Sequence, residues 1–94
     1  MLFRALGPTL SQFGVTNVLA DPMLELHDAQ GAVIASNDNW HDTQAADIQA
    51  TGKAPPNGLE SAILIARPIG NTTAIVRGKN NGTGNALVEA YAIQ

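Results

Sequence analysis

Seven consecutive positions, Ser36-Asn37-Asp38-Asn39-Trp40-His41-Asp42, hold the only tryptophan of the chain and one of its two histidines among four Asn and Asp side chains, with a serine at their head. Calcium takes six to eight hard oxygens, and β-domains supply them from loops dense in Asp and Asn. The metal-ligand candidates are Asn37, Asp38 and Asp42, with Asp28 reaching across a hairpin, and Ca²⁺ is the cofactor they would hold. Their spacing is not that of an EF-hand, and the glycine its loop requires is missing. The same residue types also end strands by bonding to nearby backbone amides, which would leave Trp40 as a lid over one end of the core. The capped corner is the leading reading, and the cation site is its competitor.

Other chemistry can be drawn from the same neighbourhood. Nucleophilic hydrolysis needs a serine, a base and an orienting acid within hydrogen-bond reach. Ser36, His41 and Asp42 lie close in sequence, and Glu60 and Ser61 offer a second acid and serine, which could meet His41 across a subunit interface. There is no G-x-S-x-G elbow and no glycine-rich oxyanion loop. Sugar binding would use Trp40 or Tyr91 as a stacking platform, with Asn39 reading hydroxyls. His27 and His41, without any cysteine, are too few strong ligands for a transition metal. Glu60 precedes the most apolar run of the chain. It is expected to accept backbone amides from the Pro55-Pro56-Asn57-Gly58 crossing or to pair with Arg4 or Arg77, setting register more than adding stability.

The elements that must position these residues are strands. In "DPMLELHD" the alternation sends Leu24 and Leu26 to one face and Met23, Glu25 and His27 to the other. "DAQG" then suits a tight reversal into "GAVIASND", so residues 22–38 read as a hairpin. "LFRAL" opens the chain as a strand, and "ESAILIARP" reads as one covered on both faces. "NTTAIVRG" and "NALVEAYAI" flank Asn81-Gly82 and read as a second hairpin, its last strand placing Leu87, Glu89, Tyr91 and Ile93 on one face. A short helical turn is expected near 43–51, capped by Asp42 or Thr43, with Ala45, Ala46 and Ile48 inside and Gly52 ending it. The fold class is all-β: an antiparallel β-sandwich or jelly roll of six to eight short strands, as one domain over 1–94.

Composition narrows the function classes. Five Lys and Arg against eight Asp and Glu give a net charge of −3, and the cations are scattered, which excludes a phosphate-tracking stripe and nucleic-acid binding. No stretch reaches the roughly 18–20 apolar residues of a membrane span, and the first ten residues do not read as a signal peptide.

The chain also resembles a repeat module of large secreted or surface-anchored bacterial proteins, similar to β-sandwiches of the pre-peptidase C-terminal type. The resemblance is carried by Arg4–Leu10 ("RALGPTL"), Phe13–Val15, Leu19–Leu26, Ala35–Trp40, Glu60–Ile63, Thr73–Gly78 ("TAIVRG"), Thr83-Gly84 and Ala86–Tyr91. It implies an extracellular or cell-surface module with no assigned activity, so the leading reading is a non-catalytic unit for structure, adhesion or assembly. The residues themselves leave carbohydrate binding through Trp40 and a small hydrolase at a subunit interface as alternatives. Two departures stand out. The family's "PGxYT" is Ile69-Gly70-Asn71-Thr72-Thr73 here, and a preceding stretch with two strands is lacking. A sheet without those strands has an open edge, so a homo-oligomer is expected, a two-fold dimer first, through edge pairing or strand swapping.

Overall fold

Each of two strands sits at the centre of its own antiparallel sheet. In the computed structural model, which describes residues 1–66 and 71–92, β1 (Leu2–Leu6) is flanked by β4 (Ser61–Leu64) and β6 (Leu87–Tyr91). In the second sheet β2 (Pro22–His27) is flanked by β3 (Val33–Asn37) and β5 (Thr73–Gly78). The two three-stranded sheets form the expected small antiparallel β-sandwich.

Period-two alternation builds its core. Pro22, Leu24 and Leu26 are buried while Met23, Glu25 and His27 are less so, because successive side chains of a strand face opposite ways. Leu24 and Leu26 meet Phe3, Ala5 and Ile63 between the sheets. The outer face of the β4-β1-β6 sheet is covered as well, since Leu2 and Ala62 pack there against Trp40 and Ile48 of the segment after β3. That third layer explains why β4 is apolar on both faces.

The helical turn is present as α1 (Ala45–Ala50), but its cap is different. Gln44 is the N-cap residue and makes no side-chain bond to the helix, because its amide is engaged elsewhere. Ile48 is fully buried, whereas Ala46 faces solvent. Gly52 ends the turn at φ 74°, as expected.

The second expected hairpin is not formed. β5 pairs with β2 and β6 with β1, so the segment holding Asn81-Gly82 crosses from one sheet to the other. Asn80 and Asn81 both take positive φ, as a tight turn requires. The chain beyond them is pulled away by the loop before β2. Leu19 N–H donates to the Asn85 carbonyl at 2.8 Å, and Asn85 N–H donates to that of Asn17 at 2.8 Å. Gly84, at φ 152°, lets the two loops touch, since a Cβ there would sit 2.6 Å from the Leu19 nitrogen. The end of "ESAILIARP", the Ile69-Gly70 departure and Ile93 lie outside the described residues.

Candidate functional site

The polar stretch after β3 turns out to be bonded to β4. Asn37, itself buried, accepts the Ala62 N–H on its Oδ1 at 2.9 Å and donates through Nδ2 to the Asn39 carbonyl and Thr43 Oγ1. Gln44 makes a pair of hydrogen bonds of the kind a neighbouring strand would make. Its Nε2 donates to the Leu64 carbonyl at 2.8 Å, and its Oε1 accepts the Leu64 N–H at 2.9 Å. Between them, Trp40 N–H donates to the Glu60 carbonyl at 2.9 Å. The groups that β4 points away from β1, at 60, 62 and 64, are therefore met by two side-chain amides and one backbone amide. An exposed strand edge is a template for unwanted pairing, and this edge is closed.

Trp40 anchors the same segment. Its indole is 4% exposed and packs in the outer core, with the His41 ring stacked on it at 3.8 Å between centroids. It offers no open face on which a sugar could lie. Tyr91 is similarly occupied. Arg4 and Lys53 place their cations 5.1 Å and 4.8 Å from its ring centroid, and its hydroxyl donates to Glu89. Asn39 has its Oδ1 buried without a partner.

Glu60 is the most thoroughly bonded side chain of the molecule's described part. It is fully buried. Oε2 accepts the N–H groups of Gly7 and Thr9 at 2.8 and 2.9 Å, while Oε1 accepts the Thr9 hydroxyl at 2.6 Å and the Asn57 N–H at 3.1 Å. Of the two partners expected for it, the backbone of the Pro55–Gly58 crossing is used. The arginines are not. Arg4 pairs with Glu89 at 2.7 Å, and Arg77 with Glu25 at 3.5 Å.

The expected calcium ligands are dispersed among separate tasks. Asp28 accepts the Gln30 and Ala32 amides inside the β2–β3 turn, and Asn37 is spent on β4. Among the described residues no three His, Asp or Glu side chains converge on one point. Asp38 instead binds the Lys79 ammonium at 2.7 Å. Asp21 lies beside Asp38, and burial together with the Asp38 charge raises its carboxyl above the usual range. Lys79, in turn, is raised by its bond to Asp38. The backbone supports this pairing, because Lys79 N–H donates to the Asp21 carbonyl at 3.0 Å. A lysine is the cation of this corner, and Asp42 contributes to the same field.

Among the described residues no hydrogen bond joins Ser36, His41, Asp42 and Ser61. Ser36, His41 and Asp42 are exposed, whereas Ser61 is fully buried with its hydroxyl unpartnered. A shallow cleft of about 340 Å³ between β3 and β4 is lined by Ile34, Ser36, Thr43, Gln44 and Ile63 among others, and its one amide side chain is already bonded to Leu64. On the outer face of the other sheet, His27 offers Nδ1 to the Gly31 carbonyl and Nε2 to Glu25, both at 3.0 Å. Two acceptors on one imidazole favour its doubly protonated form. The Gly31 carbonyl first, then Glu25, raise the His27 pKa above its ordinary value, and the bond to His27 lowers that of Glu25.

Thr9, Gly7, Gln44, Asp21 and Lys79 are the participants that sequence spacing did not single out. The partners of Glu60 at the start of the first 3-10 turn (Pro8–Phe13) are 51 and 53 positions away, and no local pattern links residues so distant. The one available signal was a single lysine in an otherwise uncharged loop at 79. In comparisons with known proteins, no family model, no curated protein and no solved structure matches this chain.

Proposed function

We propose that this chain is a non-catalytic structural module of an extracellular or cell-surface protein, acting as a spacer, adhesion or assembly unit that associates with further copies through strand edges. What carries the reading is how the polar side chains are used. Glu60, Asn37, Gln44 and Asp28 are all committed to backbone groups of the chain itself, while Val33, Ile34, Leu87 and Val88 on flanking strands face solvent. Chemistry needs polar groups free to act; association needs uncovered apolar ones. The motif resemblance, from "RALGPTL" to "TAIVRG", supports the extracellular setting. The same exposed strands support homo-oligomerisation, with a two-fold dimer as the first expectation.

Size-exclusion chromatography with light scattering tests the association. A dimer at micromolar concentration is expected, and a monomer throughout that range overturns the reading. In a parallel screen of ester and glycoside substrates no turnover is expected. Hydrolysis that disappears in His41→Ala would replace this reading with the enzymatic one.

A further inference from the structure

The two flanking strands of the β4-β1-β6 sheet are not equivalent. β4 directs the backbone groups of Ala62 and Leu64 away from β1, onto Asn37 and Gln44. Antiparallel ladders alternate, so Ser61 and Ile63 pair with β1, and β1 in turn offers Leu2, Arg4 and Leu6 to β6. These meet Tyr91, Glu89 and Leu87. The N–H and C=O groups of Val88 and Ala90 must then point away from the sheet. Among the described residues nothing bonds to them, and Val88 is 41% exposed.

We infer that, given the assembly reading above, the free edge of β6 is where a second copy docks, antiparallel to itself, joining two three-stranded sheets into one of six strands. The occupant is a strand, because a strand supplies donors and acceptors in alternation along the whole length of the edge. It is the same strand of another copy for two reasons. First, an antiparallel pair about a two-fold axis is self-complementary. In every register centred on Val88, Glu89 or Ala90, small apolar residues of one copy face small apolar residues of the other. Ala86, Val88, Ala90 and Ala92 carry none of the lysines or prolines with which edges are usually guarded. Second, the one charge on the strand is already matched. Glu89 is held by Arg4 at 2.7 Å and by the Tyr91 hydroxyl at 2.9 Å, so two copies bring ion pairs to the seam rather than bare carboxylates. Pairing also covers Leu87, which is 43% exposed.

Three variants and one exchange measurement decide it, with folding checked by circular dichroism. Ala90→Pro removes an N–H that the β1 ladder does not use, and Val88→Lys places a charge on the edge. Either should weaken dimerisation at least tenfold, while Ile34→Lys on β3 should leave it unchanged. If the proline variant fails to fold, the lysine variant still reads the edge. In the wild-type chain the Val88 and Ala90 amides should exchange with solvent faster on dilution, whereas Glu89, bonded to β1, should not. A dimer that survives Val88→Lys but is lost in Ile34→Lys overturns the β6 edge and leaves the assembly reading standing. A wild-type monomer at all concentrations overturns both.

Discussion

The Glu60 carboxylate gathers four donors from the start of the first 3-10 turn and from the crossing before β4. Removing an acceptor leaves buried donors without partners, at about 1–3 kcal/mol for each group so stranded. Glu60→Ala should therefore lower stability by at least about 3 kcal/mol in denaturant melts. Glu60→Gln should fall in between, since its amide keeps one oxygen but turns N–H toward donors. A variant as stable as wild type would remove Glu60 from the list of structural residues. His27 gives a test of opposite kind. Its folded pKa is raised, so its contribution is complete below 6.5, the ordinary value, and fades as pH climbs through the folded midpoint. Nuclear magnetic resonance titration should place that midpoint above 6.5. A midpoint at or below it would mean that the bonds to Gly31 and Glu25 do not form in solution.

At the scale of elements, the segment from Asn37 to Gln44 does the work of a missing strand beside β4. Asn37→Ala and Gln44→Ala each strip partners from buried or half-buried backbone groups, and a loss of about 1–3 kcal/mol is expected for either. Aggregation on heating should rise with it, because an uncapped edge recruits other strands. Light scattering during a thermal melt would record both. This cap was only half legible in the sequence. Dense Asn and Asp after a strand announced a corner, and Trp40 as its lid followed from the same reading. The partner strand could not be named, because Ala62 lies 25 positions from Asn37. Strands themselves were legible wherever one face was buried, as at Leu24 and Leu26. The crossover after β5 was not, for a turn signal such as Asn81-Gly82 describes two residues and says nothing of Leu19, which directs the chain to the other sheet.

On the scale of the whole molecule, the sheets are unevenly covered. β1 and β2 are central, and β4 is closed on its edge and both faces, while β5 and β6 retain exposed side chains. Local stability follows burial and protected hydrogen bonds. Native-state hydrogen exchange on dilute protein should rank the amides of β1 and β2 slowest and those of β5 and β6 fastest. Uniform protection across all six strands would show that the sandwich opens only as one unit.

The amides of Asn37 and Gln44 also bear on how far such a sheet could grow if copies pair as proposed. A ribbon with one sealed margin accepts a single newcomer and is then finished at both sides, whereas one with two bare margins can lengthen without end. With β6 paired as proposed, the two side chains laid along β4 would hold this sheet at six strands.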